Sequence, residues 1–354
     1  MRSMHIIGSR ELGGAESFFM RLVLGLQDAG EEVIAVSRPG SRVGGELAAQ
    51  VTQARAVMLN QRDPLSRWLL GRVIRRHRPD IVQTYMTRAT LLTRLPSGQR
   101  PVHVARLGGY YKIDHFRHAH AWIGNTRALC DYLVRGGLPA ARVHYIGNFV
   151  GAPAPLPAAA RAVLRRELAL PEDAWVVLGV GRHMAKKGFD LLLAALAQMP
   201  ERIAGRPVFA VLVGDGPQRP ALQQQAAQLG LDPRLRWPGW QTAPGPYYAL
   251  ADLFVCPSRH EPLGNVILES WAHATPVVSS ANEGALELIE DGGDGRLVPC
   301  GEAAPLAQAI AELLADDAQR AALAQAGHAK VTARFGAPAI LAAYIELYRQ
   351  LLRG

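Results

Sequence analysis

Short apolar runs alternate with longer amphipathic stretches along the chain, and this alternation limits the folds that the chain can adopt. Helices are predicted in the first half at Ser17–Ala29 and Pro64–Arg76. Strands are predicted at Met4–Ile7, Glu32–Val36, Asp80–Gln83, Pro101–Ala105 and Ala121–Ile123. Strand–helix alternation of this kind predicts a parallel sheet with helices on both faces.

A proline-rich segment, Gly151–Pro157, separates this series from a second one. The strands predicted there are Trp175–Val180, Pro207–Val213, Asp252–Cys256 and Thr275–Ser279, and the helices are Phe189–Gln198, Arg219–Leu229 and Val266–His273. Apolar spacing predicts a further helix through Leu306 and Ile310, and a terminal one through Ile340, Tyr344 and Leu347. The chain is therefore predicted to be α/β, with two doubly wound domains over residues 1–150 and 151–335 and a terminal helix in 336–354.

The positive charge of the chain lies in its first half. Residues 1–150 hold 21 Lys and Arg against 10 Asp and Glu, and residues 151–354 hold 18 against 20. The first half is thus +11 and the second −2. A basic half is typical of proteins that bind an anionic partner, such as nucleic acid, a phospholipid surface or a phosphorylated acceptor. The alternative explanation of this charge is that the arginines are solvated surface residues without a partner.

Composition narrows the classes of protein further. Apolar residues make up 49% of the chain and charged residues 19%, as in globular proteins. No apolar stretch has the roughly 18 residues that a membrane-spanning helix needs. Cys130, Cys256 and Cys300 are widely spaced without a metal-binding pattern, so we expect reduced thiols in a cytoplasmic protein.

Two carboxylates flank a predicted helix start after the strand Asp252–Cys256. The segment runs from His260 to Glu269, and Gly264-Asn265 suits a turn into a helix. A helix start favours an anion because of its amide groups and its dipole. Glu261 before the turn and Glu269 inside the helix therefore indicate a ligand that carries both phosphates and hydroxyls.

Two glycine-containing loops follow other predicted strands. Gly181–Gly188 comes directly after Trp175–Val180, and its Arg182 and Lys187 are able to converge on a diphosphate. Gly13-Gly14-Ala15-Glu16 follows the first strand and lets the main chain approach a ligand closely. This second loop matches neither a dinucleotide-binding fingerprint nor a Walker loop.

Together these features resemble the family 4 retaining glycosyltransferases (glycosyl transferases group 1), and the resemblance covers essentially the whole chain. It also includes Val213-Gly214-Asp215-Gly216-Pro217 and the run Ala274–Val278. The resemblance implies the GT-B fold, in which two Rossmann-like domains face each other across a cleft and the terminal helix crosses back to the N-terminal domain. The N-terminal domain would then bind the acceptor, and the C-terminal domain the nucleotide-sugar.

The resemblance also implies roles for single residues. Arg182 and Lys187 would bind the donor diphosphate, Glu269 the ribose hydroxyls and Glu261 the transferred sugar. The loop Trp237–Trp240 would border the base. The implied donor site comprises Gly13, Gly14, Arg182, Lys187, Trp237, Gly239, Glu261, Leu263, Gly264, Asn265 and Glu269, of which Glu261, Arg182 and Lys187 are the catalytic candidates.

The chain departs from the family in one loop. Many members carry a histidine after the fourth strand of the N-terminal domain, near the transferred sugar. Here that segment reads Arg106-Leu107-Gly108-Gly109-Tyr110-Tyr111-Lys112, and His103 comes before it. The candidates for the acceptor side are Glu16, Arg106, Tyr110, Lys112 and His115.

These observations predict a metal-independent, cofactor-free enzyme. No Asp-x-Asp signature lies at a strand end, so Arg182, Lys187 and the helix start would stabilise the departing phosphate. The resemblance implies a UDP-sugar as the donor, because that donor is the commonest in the family, and a glycan or lipid-linked acceptor as the partner, as in lipopolysaccharide or cell-envelope synthesis. A sugar-nucleotide epimerase and an inactive sugar-binding homologue remain alternatives, whereas the basic half has no recognisable nucleic-acid motif.

The segment Pro64–Arg78, which contains the helix predicted at Pro64–Arg76, bears on cellular location. Leu65, Leu69 and Val73 share one predicted face, and Arg67, Arg75 and Arg78 lie roughly opposite. We expect the first set to pack on the core. The arginines would then be available for peripheral docking on anionic lipid at the cytoplasmic face of the inner membrane.

Overall fold

A computed structural model of the chain describes residues 1–11, 13–47 and 50–353. They form two compact units. The first comprises Met1–Phe149 and the C-terminal segment from Ala337, and the second comprises Val150–Gly336. The sequence analysis predicted divisions after residues 150 and 335, one residue from each observed division. Gly354, the last residue of the predicted terminal helix, lies outside the described residues.

The first unit contains a parallel sheet with the strand order β3-β2-β1-β4-β5-β6-β7. Its strands are β1 (Arg2–Ile7), β2 (Glu32–Ser37), β3 (Thr52–Arg55), β4 (Ile81–Tyr85), β5 (Val102–Leu107), β6 (Ala121–Gly124) and β7 (Val143–Tyr145). Its helices are α1 (Gly14–Asp28), α2 (Arg42–Glu46), α3 (Pro64–His77), α4 (Met86–Leu92), α5 (Arg127–Arg135) and, from the end of the chain, α14 (Ala337–Arg353).

The second unit contains a sheet with the order β11-β10-β8-β12-β13-β14, and β9 pairs antiparallel with β10. The strands are β8 (Trp175–Val180), β9 (Arg202–Ile203), β10 (Arg206–Val213), β11 (Leu235–Gly239), β12 (Leu253–Cys256), β13 (Val277–Ser280) and β14 (Arg296–Val298). The helices are α6 (Ala158–Glu167), α7 (Phe189–Gln198), α8 (Arg219–Gln228), α9 (Gly245–Leu250), α10 (Asn265–Ala272), α11 (Glu283–Leu288), α12 (Ala303–Ala315) and α13 (Asp317–Phe335).

The central strands of both sheets are nearly continuous apolar runs, as parallel strands covered on both faces require. In β8, the five residues from Trp175 to Gly179 are all buried. The prediction of a loop at Trp237–Trp240 is wrong for most of that segment. Strand β11 extends to Gly239, and only Trp240 lies beyond it.

The terminal helix α14 belongs to the core of the first unit. Ile340, Tyr344, Leu347 and Tyr348 lie on one helix face and pack in the same cluster as the α1 side chains. The Tyr348 hydroxyl also donates to Gln83 Oε1 over 2.7 Å. The apolar stripe read from the sequence therefore anchors this helix to the first sheet.

Helix α3 differs from its prediction in the face that it buries. Ser66, Leu70 and Ile74 are its buried residues, whereas the side chain of Leu65 is 55% exposed. Asp63 caps the helix by accepting from the amides of Leu65 and Ser66, and it also binds the Ser66 hydroxyl. This cap satisfies the buried serine, so a polar residue occupies a core position that the apolar pattern assigned elsewhere.

Candidate functional site

The loop after β8 holds the predicted diphosphate-binding cations of the second unit. Its backbone is tied to the end of β10, because the Gly181 amide donates to the Val213 carbonyl over 3.0 Å and the His183 amide to that of Asp215 over 2.9 Å. Gly188 has φ +67°, and a Cβ there would lie 2.0 Å from the carbonyl oxygen of Pro257, which follows β12. This close approach holds the loop against the carboxyl ends of the central strands.

The segment before α10 brings a carboxylate to the same edge of the sheet. Gly264 takes φ +86° and starts α10 without a side-chain cap. The Gly284 amide donates to the Glu261 carbonyl over 2.7 Å, and Leu263 is buried beneath the turn. The dipole of α10 therefore directs its positive end toward this edge, where an anion is stabilised.

Lys187 and Glu261 form an ion pair between these two loops. The ammonium donates to Glu261 Oε2, and the side chains are only 17% and 15% exposed. Burial lowers the pKa of Lys187, but the Glu261 carboxylate outweighs it, so the net pKa lies above its usual value. Lys187 thus stays a cation at neutral pH.

Glu269 is held from the other side by Tyr248 of α9. The Tyr248 hydroxyl donates to Glu269 Oε2 over 3.1 Å. Tyr248 is fully buried, and burial followed by the nearby Glu269 charge raises its pKa well above the usual value. The phenol therefore remains a donor that orients the carboxylate. No sequence signal indicated this pairing.

Arg182, Trp237 and Gly239 are further predicted donor residues of the second unit. Arg182 is exposed and makes no hydrogen bond or ion pair with any residue in the described part of the chain. Trp237 packs its ring edge-on to His183 at 5.6 Å, Gly239 takes φ +78°, and Trp240 is 57% exposed. The structure joins Lys187 to Glu261 but does not bring Arg182 onto either.

His183 is a residue that the sequence analysis did not single out. Its ring is fully buried between Phe189 and Trp237, and neither ring nitrogen has a hydrogen-bond partner among the described residues. Burial, followed by the charge of Arg219, lowers its pKa. A neutral imidazole therefore supports the loop that carries Arg182 and Lys187.

The glycine loop of the first unit lies at the end of β1. Gly13 precedes α1, and Gly14 is its first residue, three positions earlier than predicted. A Cβ at Gly13 would lie 3.0 Å from Glu16 Oε2, and Glu16 is only 7% exposed. Gly13 and Glu16 are thus in contact, with the carboxylate next to the exposed backbone of the loop.

Arg106 is one acceptor-side candidate that the structure places in the interior. It is 3% exposed, donates from Nε to the Tyr344 hydroxyl over 2.9 Å, and donates from Nη2 to Asn148. Its guanidinium also stacks 3.8 Å from the Phe18 ring. Through these contacts Arg106 holds α14 against the sheet, and its side chain does not face solvent.

The other acceptor-side candidates lie beyond the end of β5. Tyr110 is 42% exposed with its ring edge-on to Tyr132, Lys112 is exposed, and His115 is half-buried. His103 is fully buried inside β5, where Nε2 bonds the Thr84 hydroxyl over 3.0 Å. It therefore does not take the place of a loop histidine.

Residues 1–11, 13–47 and 50–353 contain no group of three or more His, Cys, Asp or Glu placed to hold a metal ion. None of their helices is both long and apolar enough to cross a bilayer.

Comparison with known proteins matches the two units to two family models. Residues 160–330 match the model described as "Glycosyl transferases group 1". Residues 12–152 match the model described as "Glycosyltransferase Family 4".

Named relatives and solved structures cover nearly the whole chain. The lipopolysaccharide core biosynthesis glycosyltransferases LpsE and LpsD of Rhizobium meliloti are 36% and 34% identical, over 95% and 98% of this chain and the same shares of their own lengths. The crystal structure of Anabaena HepE in complex with UDP and glucose has a TM-score of 0.84 at 23% identity, covering 99% of this chain and 100% of that one.

Proposed function

Because the chain belongs to the family 4 glycosyltransferases and has the GT-B fold, we propose that it is a retaining enzyme that moves a sugar from a nucleoside-diphosphate-sugar to a glycan or lipid-linked acceptor. One observation supports the proposed donor site above all. Lys187, Glu261 and the start of α10 lie together at one edge of the second sheet. Cations and a helix start suit a diphosphate, and carboxylates suit sugar hydroxyls.

The proposed donor is a UDP-sugar and the proposed setting is lipopolysaccharide core or cell-envelope glycan synthesis. The relatives named above act in lipopolysaccharide core biosynthesis, and the HepE complex contains UDP.

In the proposed reaction, the bond between the anomeric carbon and the diphosphate oxygen breaks, and its electron pair goes to the diphosphate. An acceptor hydroxyl forms the new bond at the same face of the sugar and gives its proton to the leaving diphosphate oxygen. Lys187, Arg182 and the α10 dipole stabilise the charge on the leaving diphosphate, so we propose that no metal is required. Losing one such preorganised donor typically lowers kcat by about 10²–10³-fold.

The first test is calorimetric titration of UDP, GDP, ADP, dTDP and CMP without metal. We expect one nucleoside diphosphate to bind, and Arg182→Ala to remove most of its affinity. Arg202→Ala, an exposed arginine in β9 of the same unit, is the charge-matched control. Failure of all five nucleotides to bind would overturn the donor assignment.

We also propose that the protein binds peripherally to anionic membrane at the cytoplasmic face. The outward face of α3 supports this, because Leu65 and Trp68 are each 55% exposed there and the Arg72 guanidinium lies 5.8 Å from the Trp68 ring. Arg75 and Arg76 continue the same face by helical spacing. An apolar aromatic beside several arginines matches the boundary between lipid headgroups and acyl chains.

Co-sedimentation with vesicles tests this contact. We expect binding to vesicles that contain anionic lipid at low salt, weak binding to neutral vesicles, and a several-fold loss in Trp68→Ala and in Arg72→Gln. Arg135→Gln, an exposed arginine at the end of α5, should bind like wild type. Equal binding by all variants would mean that the membrane contact lies outside this face of α3. No binding to anionic vesicles by wild type would overturn the membrane proposal.

A further inference from the structure

Three arginines follow three neighbouring strands of the first sheet. Arg10 comes after β1, Arg38 directly after β2, and Arg88 shortly after β4. These strands are adjacent and parallel in the order β2-β1-β4, so their carboxyl ends meet at one edge. The chain also reverses its direction of winding between β1 and β4, and open α/β sheets bind ligands at such a switch point.

Backbone contacts hold two of these arginines at this edge. Arg88 donates from Nη1 to the Gly8 carbonyl over 3.2 Å. A Cβ at Gly8 would lie 3.2 Å from three carbons of the Arg88 side chain, so the arginine rests on the bare backbone of residue 8. The Arg10 carbonyl accepts from the Arg42 amide over 3.2 Å, which ties its loop to α2.

Arg38 lies close enough to Arg88 and to Arg10 for the like charges to repel. Burial, followed by the charges of Arg88 and Arg10, lowers the pKa of Arg38. No acidic side chain in the described ranges forms an ion pair with any of the three. Arg88 Nε and the hydroxyl of Ser9 are buried at the same edge without a hydrogen-bond partner among the described residues. Unpaired buried donors and uncompensated like charges cost free energy, which a bound anion would recover.

We propose that Arg10, Arg38, Arg88 and Ser9 bind a phosphate group carried by the acceptor saccharide. Guanidinium groups match phosphate oxygens in bidentate geometry, and three cations suit a dianion better than a single carboxylate. This inference rests on the proposed function and on the acceptor-binding role that the family resemblance implies for the first unit. It adds the chemical class of that acceptor, and it assigns a site separate from the donor-binding cations of the second unit.

The test is calorimetric titration of glucose 6-phosphate, glucose and inorganic phosphate into the protein saturated with UDP, at constant ionic strength. We expect glucose 6-phosphate to bind at least as tightly as inorganic phosphate, and glucose to give no signal. Glucuronate, which carries a carboxylate, should bind more weakly than glucose 6-phosphate. Sugar-phosphate binding weaker than that of inorganic phosphate would indicate a free-anion site and overturn the acceptor assignment.

Variants locate the site. Arg38→Ala and Arg88→Ala should each weaken glucose 6-phosphate binding at least about tenfold, the effect of losing a charge-assisted hydrogen bond. Gly8→Ala keeps every charge but displaces the Arg88 side chain, so it should weaken binding as well. Arg135→Ala in α5 removes an equal charge elsewhere in the unit and should bind like wild type. Thermal melting of each variant verifies that it is folded.

UDP affinity, measured in the same samples, separates the possible failures. UDP binding that is unchanged in Arg38→Ala and Arg88→Ala supports two distinct sites. A parallel loss of UDP affinity would overturn the inference, and so would glucose 6-phosphate binding that all variants share. If wild type binds no UDP, the proposed function itself fails. If it binds UDP but no phosphate probe, only this inference fails.

Discussion

Lys187 and Glu261 form a largely buried ion pair that joins the loop after β8 to the turn before α10. The ammonium that is proposed to meet the donor diphosphate is therefore engaged by a carboxylate. A diphosphate that binds Lys187 has to share the ammonium with Glu261 or displace that carboxylate. A carboxylate at this position competes with the diphosphate for Lys187 and also repels it.

Glu261→Gln should separate nucleotide binding from transfer. Without the carboxylate, Lys187 is released to UDP, and we expect UDP affinity to rise several-fold in calorimetry. Turnover of the sugar nucleotide should fall by roughly 10²-fold or more, because the group that is proposed to contact the transferred sugar has lost its charge. Glu201→Gln, an exposed glutamate near β9, is the control. Weaker UDP binding in Glu261→Gln would contradict the competition.

Tyr248→Phe should weaken the proposed contact of Glu269 with the ribose hydroxyls. The substitution removes the 3.1 Å hydrogen bond from the phenol to the carboxylate and changes little else. A hydrogen bond of this kind contributes about 0.5–1.5 kcal/mol, so UDP affinity should fall roughly 2- to 10-fold. Titration of 2′,3′-dideoxyuridine diphosphate should show no difference between the variant and wild type. Equal losses for both nucleotides would mean that Tyr248 acts on the fold and not on the ribose contact.

Gly188→Ala should destabilise the protein far more than Gly205→Ala. Both glycines have positive φ, +67° and +77°, but only a Cβ at residue 188 would collide with a backbone carbonyl. The conformational cost alone is about 1–2 kcal/mol and applies to both variants. The clash adds to it at Gly188, and urea unfolding should report the difference in the free energy of unfolding. Similar midpoints would show that the loop after β8 relaxes freely.

The buried His5 should make the protein sensitive to acid. Burial lowers its pKa from 6.5 to about 3, and its ring bonds Tyr85 and Ser3 as a neutral group. The unfolded chain therefore takes up the proton first, and His5 reduces the free energy of unfolding as pH falls from about 6.5 toward 3. The slope is about 1.4 kcal/mol per pH unit, or roughly 2 kcal/mol between pH 6.5 and pH 5.

Urea unfolding at pH 7 and pH 5 measures this effect. His5→Gln should be less stable than wild type at pH 7 because it disturbs the hydrogen bonds to Tyr85 and Ser3. It should also lose less stability on acidification. An equal loss in both proteins would assign the acid sensitivity to other groups.

Local patterns predicted those elements whose buried faces are continuous. Strand β8 and helix α7 have the predicted bounds, because an apolar run and a helical repeat each need only neighbouring residues to be recognised. The family and the GT-B fold predicted from the loop motifs are confirmed by the comparisons.

Edge strands and buried polar residues could not be predicted from local patterns. Strands β3 and β7 were missed because Thr52–Arg55 and Val143–Tyr145 are short, partly exposed edge strands without an apolar run. The buried face of α3 was assigned to the wrong residues, since the Asp63 cap satisfies a buried serine that the pattern counts as polar.

The sequence by itself determined the two α/β series, the family and the loops that hold the donor candidates, because strand periodicity and turn chemistry are local properties. Only the tertiary structure decided which side chains meet. Lys187 and Glu261 are 74 residues apart, Tyr248 and Glu269 are 21 apart, and Arg106 and Tyr344 are 238 apart. The physical reason is the strand order. Parallel neighbours that are distant in the chain bring their carboxyl ends to one edge, and local sequence contains no record of that order.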